Sequence, residues 1–246
     1  SPWIGTYAGF LGATSDNPDA ADPDCLPEDK RFQKHQILLH CVKRFNELRD
    51  EITEILIAEG GKPRGAASAE VERLINTFQL AADAVTQLDD GRVLPLAVTP
   101  AAARYRGMVK QVPIGAVSLI SPFNFPLNLV AHKIAPAIAA GCPFVLKPAS
   151  LTPISALKIA EVLAETDLPK GSWSVLPCER QAADILVTDD RFKLLSFTGS
   201  DQVGWDMKAR AGRKKVTLEL GGNAAVMIEA DAVVDDALID RLIGAA

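Results

Sequence analysis

The sequence predicts an α/β fold in which a parallel, Rossmann-like sheet carries helices on both faces. Three observations predict it. From Gly115 onward, short apolar strands alternate with amphipathic helices. The strands, such as Phe144–Lys147, are apolar at successive positions, which is typical of strands buried on both faces. Polar or glycine-bearing turns follow their carboxyl ends, where ligands of such sheets bind.

The bulk composition is that of a globular protein. The 246 residues are 48% hydrophobic and 23% charged, and no apolar run is long enough to cross a bilayer. A net charge of -5 gives no reason to expect a nucleic-acid surface. The four cysteines lack metal-ligand spacing and indicate free thiols in a reducing compartment. We expect a cytoplasmic location, no metal and no membrane partner.

The first part of the chain contains an irregular segment, two helices and a hairpin. Residues 1–28 have little periodicity and predict an irregular N-terminal arm. Apolar residues then recur at helical spacing, and two extended segments follow. The predicted elements are helices over 30–60 and 71–88 and a protruding hairpin with strands over 92–96 and 104–112.

The second part alternates strand and helix. Its predicted strands are 116–121, 144–147, 173–176, 193–198 and 216–220, and its predicted helices are 127–140, 154–165, 181–188, 202–211 and 233–246. Because the strands are parallel, the turns after them meet at one edge. These turns are Ser121–Asn124, Lys147–Ser150, Phe197–Ser200 and Glu219–Gly222.

Four features of this edge suggest chemistry, each with a simpler alternative. The glycine turn from Phe197 to Ser200 opens a helix and suits a phosphate, or is a structural turn. Lys147 ends a strand and is placed to reach a ribose or phosphate, or it is a surface lysine. Asn124, held between prolines, suits an oxyanion donor, or caps a turn. Glu219, among apolar residues, suits a general base with a raised pKa, or lies exposed at an edge.

The run from Pro113 to Gly222 resembles the aldehyde dehydrogenase superfamily. Five motifs occur in the family's order and approximate spacing, which is a far more specific signal than any one of them. They are Pro122–Pro126, Lys133–Ala137 with Ala140–Cys142, Lys147–Ala149, Phe197–Ser200 and Leu218–Gly222. The resemblance covers most of the chain after about residue 30.

The resemblance implies a role for each site residue. Asn124 would donate to the thiohemiacetal oxyanion and Glu219 would activate the cysteine or the hydrolytic water. Lys147 would hold the adenosine ribose, and Ser200 with its turn would contact the pyrophosphate. The residues implied to contact NAD or NADP are Ile120, Ser121, Pro122, Phe123, Lys147, Ser150, Gly199, Ser200, Val203 and Leu220.

Three departures from the family pattern shape the expectations. No cysteine has the family's catalytic context, so we expect the nucleophile beyond Ala246. Ser150 stands where many NAD-specific members have Glu, which favours NADP at least equally with NAD. Phe123 stands where Trp is common, a hint toward small hydroxylated aldehydes.

The resemblance also implies how the chain is divided. We expect a cofactor-binding domain over 29–90 and 113–222, an oligomerisation hairpin over 91–112 and the start of a truncated catalytic domain over 223–246. The complete protein would be a homodimer or homotetramer acting on a small aldehyde. The alternatives are a coenzyme A-acylating relative, which commonly lacks the base, and a silent nucleotide-binding module, which has no need of Asn124 and Glu219.

Overall fold

The computed structural model describes residues 31–87 and 91–245 of the chain. The predicted arm over 1–28 lies outside these residues. Three helices come first: α1 (Arg31–Glu47), α2 (Arg49–Gly60) and α3 (Arg64–Gln87).

The single helix predicted over 30–60 is wrong, because Leu48 separates α1 from α2. Leu48 has φ -95° and ψ 10°, outside regular helical geometry. Its N–H still bonds Arg44 O at 2.9 Å, so the interruption lasts one residue. Phe45 before it and Ile52 after it are both fully buried. The break therefore keeps both helices on the core.

A two-stranded hairpin follows the helices, as the sequence predicts. Strand β1 (Arg92–Pro95) pairs antiparallel with β2 (Arg106–Val109), and Val93 lies opposite Met108. Both of these side chains are exposed. Within the described residues the hairpin strands pair only with each other, which leaves an unpaired edge beside exposed apolar side chains.

The central sheet has five parallel strands in the order β5-β4-β3-β6-β7. This order confirms the predicted Rossmann-like α/β class, because the chain builds outward from β3 on one side and then crosses to the other. The strands are β3 (Val117–Ile120), β4 (Phe144–Lys147), β5 (Trp173–Val175), β6 (Leu194–Gly199) and β7 (Lys215–Leu220), and the helices that connect and follow them are α4 (Asn128–Ala140), α5 (Ile154–Ala164), α6 (Asp184–Thr188), α7 (Asp201–Arg210) and α8 (Asp236–Ala245).

Two hydrophobic clusters cover the two faces of the sheet. The larger joins α1 to α5 with the β3 and β4 side chains Val117, Leu119 and Leu146. The smaller places α6 and α7 against Ile120, Leu195 and other residues of the opposite face. Alternate strand residues thus enter different cores.

Strand β7 departs from the predicted pattern of burial on both faces. It is the last strand of the sheet, and its residues alternate between exposed and half-buried. Lys215, Thr217 and Glu219 lie on the exposed side, whereas Leu218 and Leu220 pack under α7. The polar side of β7 is therefore open in this chain. No helix among residues 31–87 and 91–245 is long and apolar enough to span a membrane.

Gly204 sets how closely α7 approaches the sheet. A Cβ there would lie 2.4 Å from Leu220 Cδ2 and 3.2 Å from Phe197 Cδ1. We therefore expect Gly204→Ala to lower the free energy of unfolding by about 1–3 kcal/mol, because the Leu220 side chain and the Phe197 ring must move to admit the methyl group. Urea unfolding followed by circular dichroism measures the change.

The matched control is Gly65→Ala, another helical glycine. A Cβ at Gly65 meets no atom within 4 Å, so the gain in helix propensity should leave stability equal or raise it by up to about 1 kcal/mol. Equal effects of the two substitutions would show that packing under α7 does not require glycine.

Candidate active site

A cavity of about 1100 Å³ opens at the carboxyl ends of β3 and β6, where the strand order reverses. Nine of the ten residues predicted to contact a cofactor line it: Ile120, Ser121, Pro122, Phe123, Lys147, Ser150, Gly199, Ser200 and Val203. The tenth, Leu220, lines a neighbouring cavity instead. We refer to the first as the nucleotide cavity.

Lys147 is largely buried at the end of β4, contrary to its alternative interpretation as a surface lysine. Its Nζ donates to Pro148 O at 2.8 Å and to Ser150 Oγ at 3.3 Å. Burial lowers the pKa of Lys147, the Cys178 thiol acts in the opposite direction, and the positive charge of Arg180 lowers it further. The ammonium group therefore lies in a site where a negative group would relieve its cost of burial.

Arg180 is a residue that the sequence analysis did not identify. It follows β5, is exposed, and lines the nucleotide cavity with Lys147 and Ser150. No motif marks it, since it stands in the irregular turn between β5 and α6. The proximity of β5 to β4 in the sheet brings it to this site.

The amino end of α7 forms another wall of this cavity. Ser200 is the N-cap residue, with φ -67° and ψ 147°, and its side chain makes no capping hydrogen bond. A Cβ at Gly199 would lie 2.5 Å from the Phe197 ring, so glycine permits this tight turn. Across the cavity, the buried Ser121 Oγ has no partner among the described residues. The N–H groups at the amino end of a helix suit an anionic ligand.

A second cavity, of about 1120 Å³, lies on the other side of the same turns. Asn124 and Glu219 both line it, so the fold brings the two predicted catalytic residues together. We call it the catalytic cavity. The two cavities share the wall formed by Pro122, Phe123, Thr198, Gly199 and Ser200.

Glu219 is exposed in this chain, so its expected burial is wrong here. Its neighbours Leu218 and Leu220 point to the core under α7, whereas Glu219 lies on the open side of the edge strand β7. The apolar sequence around it reflects the opposite face. Its position in the catalytic cavity agrees with the alternative of an edge carboxylate.

Lys133, for which the sequence predicted no role, lies on α4 in the wall of the catalytic cavity. It is 6% exposed, and its Nζ donates to Ser196 Oγ at 2.8 Å. Burial lowers the pKa of Lys133 to about 8, and Glu219 acts in the opposite direction. The available signal was a single lysine within the apolar run of α4.

His132 lies on α4, where the sequence predicts a helix, and its side chain also lines this cavity. Partial burial lowers the pKa of His132, the charges of Lys133 and Arg73 lower it further, and Glu219 raises it. The catalytic cavity thus has the ammonium group of Lys133 and the imidazole of His132 on α4, together with the carboxylate of β7.

The cysteines of the described residues are not part of the catalytic cavity. None of Cys41, Cys142 and Cys178 lines the catalytic cavity. Burial raises the pKa of Cys41 to about 12, which leaves it inert as a nucleophile. Among the same residues, no cluster of three or more His, Cys, Asp or Glu side chains is arranged to hold a metal ion.

The buried Lys133 predicts a pH dependence of stability. Its folded-state pKa of about 8 lies below the ordinary 10.5, so between these values the unfolded chain retains a proton that the folded chain has lost. Raising the pH through this window therefore relieves an unfavourable contribution and stabilises the fold. Urea unfolding of the wild type and Lys133→Met, compared at about pH 7 and pH 10.5, should show a larger pH-dependent gain in the wild type. An equal pH-dependent change in the free energy of unfolding of the two proteins would contradict the lowered pKa of Lys133.

Known proteins are similar to this chain in sequence and in fold. The model of the aldehyde dehydrogenase family matches residues 28–246. The 3-sulfolactaldehyde dehydrogenase of Priestia aryabhattai is 37% identical over 207 residues, which are 84% of this chain and 43% of that protein.

Two solved structures extend the comparison. Aldehyde dehydrogenase 21 from Physcomitrella patens, in complex with the reaction product succinate, is 52% identical with a TM-score of 0.77, covering 79% of this chain and 40% of that one. Glyceraldehyde-3-phosphate dehydrogenase GapN from Methanocaldococcus jannaschii, complexed with NADP, is 34% identical with a TM-score of 0.71, covering 90% and 45%. The chain thus spans less than half the length of these relatives. With the family match over nearly all of its length, the chain belongs to the aldehyde dehydrogenase family.

Proposed function

We propose that this chain is the cofactor-binding part of an NAD(P)-dependent aldehyde dehydrogenase whose catalytic cysteine lies in a segment outside it. One observation carries the proposal. Asn124 and Glu219 line a cavity that shares a wall with the cavity of Lys147, Ser150 and Ser200. A dinucleotide in one cavity would therefore end beside the oxyanion donor and base of the other.

The nucleotide cavity has the groups that an NADP molecule needs. Lys147 and Ser150 would bind the adenosine ribose, and the amino end of α7 would bind the pyrophosphate. Ser150 carries no charge to repel a 2′-phosphate, and Arg180 adds a cation beside it. When bound, the nicotinamide supplies the hydride acceptor. The neighbouring M. jannaschii structure holds NADP.

The catalytic cavity has groups for the acyl part of the reaction. The attack of a cysteine thiolate on the aldehyde carbon forms a C–S bond and places negative charge on the carbonyl oxygen. The Asn124 amide would donate a hydrogen bond to that oxygen. Glu219 would take a proton from the thiol or, at the thioester stage, from the hydrolytic water. Lys133 would hold positive charge near this carboxylate.

The charges of the cavity favour a small aldehyde that carries its own anionic group. His132 and Lys133 line it, and Arg73 lies close enough to lower the pKa of His132. The buried ammonium group of Lys133, with the exposed guanidinium group of Arg73 nearby, favours a carboxylate or sulfonate. The relatives support this class: one is named for 3-sulfolactaldehyde, and another was solved with succinate.

We further propose that the complete protein is a cytoplasmic homodimer or homotetramer. The hairpin β1–β2 supports this, because its unpaired edge and exposed side chains, including Val93 and Met108, suit a subunit contact. Size-exclusion chromatography with light scattering on the complete protein tests the state.

Activity of the complete protein tests the proposed reaction. We expect aldehyde-dependent formation of NADPH, absent when only residues 1–246 are supplied. In the complete protein Asn124→Ala should lower kcat by on the order of 10²–10³-fold, because the oxyanion loses a donor. Glu219→Gln should lower kcat by on the order of 10²-fold or more.

Matched controls lie on the helices. Asn46→Ala and Glu161→Gln change exposed residues of α1 and α5 in the same way and should keep kcat within about twofold. Bound NADP without turnover would favour the silent-module alternative, and turnover that requires coenzyme A would favour the acylating one. Turnover by the 246-residue chain alone would refute an external cysteine.

Cofactor choice is tested separately by binding. Ser150→Glu should weaken NADP binding by about tenfold or more and spare NAD, because the carboxylate repels the 2′-phosphate and binds ribose hydroxyls. Arg180→Gln should weaken NADP specifically by about tenfold. Isothermal titration of both cofactors measures the ratio, with Arg191→Gln as an exposed control outside the cavity. A wild type that prefers NAD by a large factor would contradict this assignment.

A further inference from the structure

The buried carboxylate of Glu70 lies at the amino end of α4. Glu70 projects from α3 and is 1% exposed. Its Oε1 accepts hydrogen bonds from Leu127 N and Asn128 N, both at 3.0 Å. These are N–H groups that the start of a helix leaves without an intrahelical partner. A negative charge there also opposes the positive end of the helix dipole.

Lys62 completes the arrangement from the loop between α2 and α3. Its Nζ forms an ion pair with the other carboxylate oxygen of Glu70. The same Nζ lies 4.1 Å from the centroid of the Phe125 ring, a cation–π contact. Glu70 therefore binds the residues just after Phe125, and Lys62 binds Phe125 itself.

The segment between these contacts and β3 contains Asn124. Residues 121–127 belong to neither helix nor strand. On the strand side, Ser121 N bonds Lys147 O at 3.2 Å. On the helix side, Leu129 N bonds Phe125 O at 3.0 Å, which makes Phe125 part of the helix start that Glu70 caps. The position of the Asn124 turn thus depends on how α4 begins.

We propose that Glu70 and Lys62 are positioning residues for Asn124. They fix the amino end of α4 and the ring of Phe125, and so hold the turn that presents the oxyanion donor to the catalytic cavity. The inference rests on the proposed function, because that function gives Asn124 its role. The contacts by which Glu70 and Lys62 hold the turn, which we call the clamp, involve only residues that the structure describes. Displacement of a donor by about 1 Å is enough to cost on the order of 10²-fold in rate.

The chain offers a matched control in Glu59. This carboxylate, from α2, accepts hydrogen bonds from Ile154 N and Ser155 N and thus caps α5 as Glu70 caps α4. Neither Glu59 nor Ile154 lines the catalytic cavity. Removing either carboxylate costs a helix cap, whereas only the loss of Glu70 affects the Asn124 turn.

The kinetic test uses the complete enzyme. Glu70→Ala is expected to lower kcat by on the order of 10²-fold with the KM for aldehyde and the Kd for NADP changed less than about threefold, because the oxyanion forms only during reaction. Glu70→Gln, which keeps an acceptor oxygen, should recover at least about tenfold of that loss. Glu59→Ala should keep kcat within about threefold.

Hydrogen–deuterium exchange on the same proteins tests the clamp independently of turnover. Glu70→Ala and Glu70→Gln should raise exchange in a peptide over 122–128, and Glu70→Ala should raise it more. Glu59→Ala should raise exchange only in a peptide over 154–158.

These exchange changes in a protein without activity would support the clamp and refute the proposed function. An active enzyme in which Glu70→Gln and Glu70→Ala leave kcat unchanged, or in which Glu59→Ala lowers it equally, would overturn the positioning role. If Glu70→Ala does not fold, Glu70→Gln decides: a severalfold lower kcat with faster exchange over 122–128 supports the role, and unchanged values overturn it.

Discussion

The pairing of β3 with β4 on one side and β6 on the other organises the whole site. Because both pairings are parallel, the chain after Ile120 and the chain after Gly199 leave the sheet at the same edge. Their connections then run to opposite faces, so a crevice remains between them. Every proposed role depends on this reversal: one cavity has Lys147 in its lining, the other has Asn124 and Glu219, and Ser200 lies in the wall between them.

The electrostatics of the helix starts complement this topology. The carboxylates of Glu70 and Glu59 accept hydrogen bonds from the backbone N–H groups at the starts of α4 and α5, respectively. At the start of α7, Ser200 provides no side-chain cap. Among these three helices that begin at the ligand edge, α7 therefore has the N–H groups available to an external anion. The protein satisfies two helix ends internally and leaves the third for a phosphate, a distribution that a single motif does not reveal.

Much of the fold was predictable from the sequence because it rests on local pattern. From Gly115 onward, the alternation of apolar strands and amphipathic helices predicted the elements within a few residues and the class of the sheet. The helix predicted over 71–88 begins earlier, at Arg64. The break between α1 and α2 at Leu48 was not predictable, because the neighbouring residues continue the helical periodicity and only packing interrupts the helix. The exposure of Glu219 was missed because apolar neighbours indicate burial unless the strand is known to be an edge.

The positions of the candidate site residues were predictable where these residues lie at strand ends and unpredictable where they lie on helix faces. Lys147 ends β4 and Asn124 stands in the turn after β3, and a parallel sheet brings these strand ends to one edge. Lys133 and His132 stand within α4, where only helix packing determines which face meets the cavity. Glu70 stands within α3, and only the packing of α3 against α4 brings it to the start of α4. Arg180 depends on the position of β5 beside β4. Tertiary contacts, which periodicity does not encode, supply these groups.

The shared wall also constrains how binding and chemistry relate. Pro122 and Phe123 line both cavities, and they directly precede Asn124. A ligand that packs against this wall from the nucleotide side therefore contacts the same backbone that carries Asn124, the proposed oxyanion donor. Glu70 and Lys62 hold the end of that turn that joins α4. Such a ligand would therefore contact a segment that is held at both ends, by β3 and by α4. A segment so restrained has little freedom to move its amide away, which is the preorganisation that stabilisation of a developing charge requires.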